Sequence, residues 1–428
     1  MATFLAKKHW QNPWVFYLPF LVLYLFVVIV LRDRIMSGDA GRYLMYAENL
    51  CQGYYAPKDN FFIWNGPGYP LVLMPFVAFN LPLITIACFN AVLLYLAHVL
   101  LFKALRFYVS INTALVFGTF WALHFSTYEL LPIISTEIFT IFLVSLIIYF
   151  SISVFAKSQA SISLRKPIWI LGFLFGLLVL TKVIFAYVLL LILPLVVVAY
   201  FFKRDRKNTL KTLYILGIAF LVNLPYLIYT YNLTGRYLFW ANSGGVSLYW
   251  MSTPHSGEYG DWQSSHFQAF KGRDVKRIEA NHRKDLEKME AIGERRIPGL
   301  KADDLFKKMA IENIKNHPKK YLVNCVANVN RLFFGFPNSY QDENLKFLKY
   351  TPNIIFIPLI LYSLFIVLVN FRKVPYEFKF LLLVSLIYLG LSVLVSTFPR
   401  MFLVIAPVFV WLISYTVYQT VQMRIFFR

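Results

Sequence analysis

Residues Ser37–Pro70 read SGDAGRYLMYAENLCQGYYAPKDNFFIWNGPGYP and lie between two long apolar runs. The stretch is the first substantial polar segment of the chain, and the runs around it are long enough to cross a bilayer. It is therefore a loop at a membrane surface that carries an acid (Asp39), a base (Arg42) and several tyrosines. If a short helix starts at Asp39, then Asp39, Arg42 and Tyr43 share one face, because residues three and four apart are helical neighbours. Asp39 after a Ser-Gly pair equally suits an N-cap. The segment alone leaves both readings open.

Outward from this loop, composition sets the class. Of 428 residues, 59% are hydrophobic and 15% charged, with a mean hydropathy of +0.59. A soluble domain runs nearer a quarter charged. Apolar stretches near 14–31, 82–102, 111–127, 133–156, 168–181, 183–202, 211–231, 352–371, 379–397 and 401–421 give an all-α polytopic membrane protein of about ten spans. The first, after Lys7 and Lys8, lacks a small-residue cleavage site and reads as a retained span. Six basic clusters fall on one side of this alternation: Lys7/Lys8, Lys103/Arg106, Lys157/Arg165/Lys166, Lys203/Arg204/Arg206/Lys207, Arg372/Lys373 and Arg424/Arg428. By the positive-inside rule that side is cytoplasmic, with both termini on it, so much of the net charge of +21 sets topology and needs no nucleic acid. Cys51, Cys88 and Cys325 show neither disulfide pairing nor metal spacing.

Residues 32–81 and 232–351 then fall together on the opposite face. The first ends in Pro67-Gly68-Tyr69-Pro70 and a proline-broken apolar run that suits interfacial helices. In the second, 273–296 is a charge-laced helix read as a solvated face. A helix over 303–316 places Phe306, Met309, Ala310 and Ile314 on one side, and Pro318 opens the next helix at N1. Residues 318–334, with Tyr321, Val326, Val329 and Phe333, form an amphipathic helix lying along the membrane. The expected organisation is a membrane unit 1–231, an outer segment 232–351 acting as a lid over the first loop, and a membrane unit 352–428.

Charges at membrane depth are costly and usually paired or functional. Glu137 opens the fourth span, Lys182 sits at the turn of a helical hairpin, and Arg400 opens the last span. Each has a plain alternative: a helix-start acid, a snorkelling lysine, a headgroup anchor. The topology puts Asp39, Arg42, Glu137, Lys182, Arg236 and Arg400 at one interface. Such a set suits an anionic lipid headgroup reaction, because arginine forks bind phosphate and a carboxylate among them can take a proton from an attacking hydroxyl. Tyr54, Tyr55, Trp64, Tyr249 and Trp250 are candidates for selectivity, or ordinary interfacial anchors. His255 and His266 lack ligand spacing.

These motifs, in this order, resemble the membrane-embedded GT-C glycosyltransferases, specifically the protein O-mannosyltransferase and lipid A aminoarabinose transferase group (family 39-like). The resemblance is carried by Asp39-Ala-Gly-Arg42-Tyr43, Pro67-Gly68-Tyr69-Pro70, Thr136-Glu137, the Gly172–Lys182 run, the LPYLIYTYNLTGRYLFWANSGGVSLYW segment and Pro399-Arg400. The chain departs from the group at Ala40 and at Asn65-Gly66. The resemblance implies a GT-C-like bundle, and transfer of a sugar from a polyprenyl-phosphate donor to a lipid, glycan or protein acceptor on the outer face of a bacterial inner membrane. It makes Asp39 the base, with Glu137 the second candidate. Arg42, Tyr43, Lys182, Arg236, Arg400, Tyr69 and Tyr249 would serve donor phosphate and substrate. No cofactor is required; a divalent metal is possible but not indicated. The competing classes are a lipid-linked glycan polymerase or ligase, a transporter or flippase, which would favour internal repeats and mid-depth charges, and a non-catalytic scaffold.

Overall fold

The computed structural model describes residues 11–57, 62–156, 165–202, 205–263, 274–291, 299–339 and 352–426. Lys7, Lys8, Lys157, Lys203, Arg204, His266 and Arg428 lie outside them. Single turns aside, the helices are α1 (Pro13–Val30), α2 (Ala40–Cys51), α3 (Gly68–Ala78), α4 (Leu83–Tyr108), α5 (Ile111–Ala122), α6 (Thr136–Ala156), α7 (Arg165–Thr181), α8 (Ile184–Phe201), α9 (Arg206–Thr234), α10 (Gly244–Met251), α11 (Asp274–Ala291), α12 (Leu300–Asn316), α13 (Pro318–Phe334), α14 (Pro352–Val369), α15 (Tyr376–Val395) and α16 (Pro399–Phe426). Among the described residues there is no strand.

Among the described residues eight helices, α1, α4, α6, α8, α9, α14, α15 and α16, are long and apolar enough to cross a membrane. The other two of the ten expected spans fall below that length. The span at 111–127 ends at Ala122, whose carbonyl accepts the Tyr24 and Tyr128 hydroxyls (3.1 and 2.9 Å) in place of continuing the helix. The span at 168–181 is α7, at 17 residues. The interfacial helices expected in the first loop are α2 and α3.

Side-chain size decides who sits at the centre. α1 and α14 leave Val22, Phe26, Ile29, Leu361, Phe365 and Leu368 exposed, apolar faces that only lipid accepts readily. α6 and α16 are the most enclosed spans. Gly172 and Gly176 let α9 approach α7 closely, because a Cβ on either would lie 2.6 Å from the Cβ of Ile218 or Val222. The same device seats the first loop: a Cβ on Gly66 would meet the Leu180 carbonyl oxygen at 2.1 Å, and one on Gly68 the Thr181 Oγ1 at 2.5 Å. The N-terminus of α3 is thereby pressed onto the last turn of α7, one residue before Lys182.

The outer segment has its own apolar core, in which Val246, Tyr249 and Trp250 of α10 meet Ile278, Leu286 and Met289 of α11 and Ala302, Phe306 and Met309 of α12. The charge-laced helix is thus not only a solvated face: Ile278, His282, Leu286 and Met289 form a buried stripe. α13 is amphipathic with its polar side inward. Leu322, Val323, Val326 and Val329 point out, while Asn324, Asn328 and Arg331 are buried. Asn324 donates to the Met251 and Thr253 carbonyls, and Asn328 to that of Val393. α13 therefore ties the outer segment to α15.

Candidate functional site

Four segments far apart in sequence converge at one end of the bundle. Asp39 stands at the N-cap position of α2, but its side chain caps nothing. Instead Oδ1 lies 2.7 Å from Arg42 Nη2 and Oδ2 lies 3.4 Å from Arg400 Nη2. That settles the two readings of the opening segment in favour of the ion pair. Arg400 also reaches Glu137, Nε to Oε1 at 3.6 Å. Glu137 Oε1 also accepts from Lys182 Nζ at 3.0 Å. A guanidinium between two carboxylates, closed by a lysine, links α2, α6, the end of α7 and α16.

The plain alternatives fall away in turn. Glu137 is no exposed helix-start acid: its side chain is 3% exposed. Lys182 does not snorkel, since its ammonium is on Glu137 and its side chain is 14% exposed. Asp39, at 31%, remains open on one side. Two carboxylates against Arg42, Lys182 and Arg400 leave one cation in excess, which is the electrostatic condition for holding an anion.

The remaining shell is neutral. Arg42 Nε donates to Asn65 Oδ1 (2.7 Å), Asn65 Nδ2 donates to the Tyr43 hydroxyl (3.1 Å), and the Tyr55 hydroxyl donates to the Asn65 carbonyl (2.8 Å). Asn65 thus fixes the guanidinium from behind. Sequence reasoning noted Asn65 only as a departure from a family pattern, and a neutral amide in a loop gives no sign of such a role. Tyr43 packs edge-on against Tyr69 at 5.3 Å, both buried. Burial, with two carboxylates nearby, raises the Tyr43 phenol above its ordinary value, so it keeps its proton. The Arg42 guanidinium lies 4.9 Å from the centre of the Trp64 ring.

Two of the expected residues are elsewhere. Arg236 forks onto Asp304 of α12 (2.8 and 2.5 Å). Tyr249 belongs to a buried relay in the outer segment: its hydroxyl meets His282 Nδ1 at 2.6 Å and Asp285 Oδ2 at 2.9 Å. His282 Nε2 meets Glu258 Oε2 at 2.9 Å, and Glu258 also accepts from Thr253 (2.5 Å) and Asn281 (2.7 Å). These bonds outweigh burial and pull the Glu258 carboxyl down to about 2. His255 stacks edge-on against His282 at 5.0 Å. The topology put Arg236 and Tyr249 on the same face as the other candidates, but a shared face does not say which neighbour a side chain meets. Among the described residues, no group of three or more His, Cys, Asp or Glu is arranged to hold a metal.

Comparison with known proteins bears on this geometry. Residues 53–236 match the family model described as dolichyl-phosphate-mannose-protein mannosyltransferase. No curated protein matches the chain. A crystal structure of ArnT from Cupriavidus metallidurans bound to undecaprenyl phosphate superposes with a TM-score of 0.42 and 13% identity, over 95% of this chain and 78% of that one. The family match takes in Glu137, Lys182 and the Pro67–Pro70 element. Asp39 and Arg400 lie on either side of it, and it is the fold that brings them to Glu137. Over residues 53–236 the chain therefore matches a model of the mannosyltransferase group that its motifs resemble.

Proposed function

We propose that this chain is an inverting glycosyltransferase of a bacterial inner membrane, moving a sugar from a polyprenyl-phosphate donor to an acceptor on the outer face, with both termini cytoplasmic. One observation carries the reading: Asp39 is held between Arg42 and Arg400, and Arg400 in turn by buried Glu137. The open carboxylate and the excess cation are side by side.

The step follows from that juxtaposition. The acceptor hydroxyl gives its proton to Asp39, and its oxygen forms a bond to the anomeric carbon from the face opposite the phosphate. The bond from anomeric carbon to phosphate oxygen breaks, and the electron pair leaves with the lipid phosphate. Arg42 and Arg400 lie where that charge grows, and fixed cations aimed at developing charge are usually the largest catalytic term. A single displacement inverts the anomeric centre. Glu137 is too buried to meet an acceptor, and its work is to hold Arg400 and Lys182 in place. Metal dependence is not part of the proposed step.

The test is transfer from radiolabelled polyprenyl-phosphate sugars in membranes carrying wild type, Asp39→Asn or Glu137→Gln. Loss of transfer in Asp39→Asn at normal protein level supports the base. Undiminished transfer in Asp39→Asn overturns the proposed base. No transfer by wild type from any lipid-linked sugar overturns the glycosyltransferase reading and favours a transporter.

A further inference from the structure

Beside the ion cluster, the first loop and the outer segment are joined by a short seam. Ile63 N donates to Asn242 Oδ1 (2.9 Å), Asn242 N donates to the Ile63 carbonyl (2.8 Å), and Ser243 Oγ donates to the Trp64 carbonyl (3.2 Å). Across this seam Trp262 stands perpendicular to Trp64, ring centres 6.4 Å apart at 88°. Trp64 in turn carries the Arg42 guanidinium at 4.9 Å. Both tryptophans pack on the apolar core of the outer segment, yet both stay half-buried. The path from Asp39 runs through Arg42 to Trp64 and on to Trp262.

We propose that Trp64 and Trp262 form a saccharide subsite next to Asp39, with Trp262 the specificity-determining residue that the outer segment supplies. The inference rests on the glycosyltransferase reading. An indole face is electron-rich and flat. The C–H face of a pyranose is weakly positive and nearly flat, so it packs there while its hydroxyls stay outward. Two indoles at right angles offer a face and a wall, a corner that fits a ring better than an extended peptide. A ring seated in that corner lies next to the Arg42–Asp39 pair, because Trp64 carries the Arg42 guanidinium. The lid expected over the first loop thereby acquires a chemical task beyond covering the site.

The test is saturation-transfer NMR on the full chain in detergent, with methyl α-mannoside, methyl α-glucoside and a serine-containing tripeptide as probes. Wild type should pass saturation to the ring C–H protons of a glycoside. Trp262→Ala should weaken glycoside binding about tenfold, the upper range of a lost aromatic contact. Trp262→Phe should restore most of it, which a merely structural role would not require. Glycoside binding unmoved in Trp262→Ala, or a tripeptide preferred over both glycosides, overturns the subsite. Where Trp262→Ala does not fold, Trp64→Phe and Trp262→Leu carry the same comparison. Donor sugar and saccharide acceptor share this ring chemistry. Dolichyl-phosphate mannose displaces the glycoside if the corner belongs to the donor and leaves it bound if it belongs to the acceptor. Binding needs no turnover, so glycoside bound through Trp262 without any transfer would break the enzyme reading and leave the subsite standing.

Discussion

Asp39 and Glu258 are both carboxylates held by hydrogen-bonding partners, and they spend their oxygens differently. Glu258 uses Oε1 on Asn281 and Oε2 on Thr253 and His282, and His282 passes the chain on through Tyr249 to Asp285. Only 3% of its side chain is exposed. Among the described residues Asp39 has only Arg42 and Arg400, the latter at 3.4 Å, and keeps an open side. A carboxylate with its lone pairs used locks a fold together. One held by charge with a side left open can still take a proton. The first belongs to a core, the second to a reaction.

The largest effect should come from the open carboxylate. Asp39→Asn keeps the shape and removes the base, so transfer should fall about 10³-fold. The thermal midpoint in detergent should barely move, because the residue is exposed on one side. If Asn instead unfolds the chain, the distinction between the two networks is broken.

Glu258→Gln should do the reverse. The amide places a donor where Thr253 or His282 now needs an acceptor, inside a buried network, and should cost about 3 kcal/mol. Transfer per folded molecule should stay near wild type. Denaturation followed by tryptophan fluorescence, alongside transfer assays, separates the two quantities. A lost chemical step with unchanged stability would place Glu258 in the reaction.

Arg400→Lys sharpens the comparison further. Arg400 reaches Asp39 through Nη2 and Glu137 through Nε, two nitrogens of a rigid planar fork that lysine replaces with one. Transfer should drop about 10²-fold, on the scale of one lost oxyanion donor. Full activity in the lysine variant would mean that only the charge matters, and that the bridge between the two acids does not.

Much of this was readable before the structure because charge is conspicuous in an apolar chain. Asp39, Arg42, Glu137, Lys182 and Arg400 are expensive at membrane depth, and alternation of spans puts them at one face. What alternation cannot supply is direction around the bundle, which is why Arg236 went to Asp304 and Tyr249 to His282. Asn65 and Trp262 carry no charge, and their roles exist only where distant segments meet. His282 was legible in principle: with Ile278, Leu286 and Met289 it completes a helical stripe that the dense charge of α11 obscured. α13 shows the limit from another side, since its period was plain but which face turns inward was not.

The smallest expected effect concerns Asp303, which joins α12 to α10 by accepting the Gly245 and Val246 amides on Oδ1 (2.7 and 3.1 Å). Burial raises its carboxyl from 3.8 to about 6, and those two hydrogen bonds only partly oppose the shift. A carboxyl raised in the folded state contributes stability that is full below pH 3.8 and lost as pH rises to about 6. The α10–α12 contact should therefore weaken across that window by about 2 kcal/mol. Glu258 acts oppositely but lower, since its depressed carboxyl loses stability only as pH falls from 4.5 toward 2. His255, lowered chiefly by burial, loses stability as pH falls below 6.5 and so opposes Asp303 in part. The comparison with Asp303→Asn removes both, because they are common to the two proteins. Asn keeps an oxygen for the two amides and cannot ionise. Hydrogen exchange of the α10 amides should thus accelerate from pH 4 to 6, beyond the intrinsic rate, in wild type and not in Asp303→Asn. Equal slopes in the two would show that Asp303 is as well solvated as Asp39, and the contrast between an open site and a closed outer core would not extend to this contact.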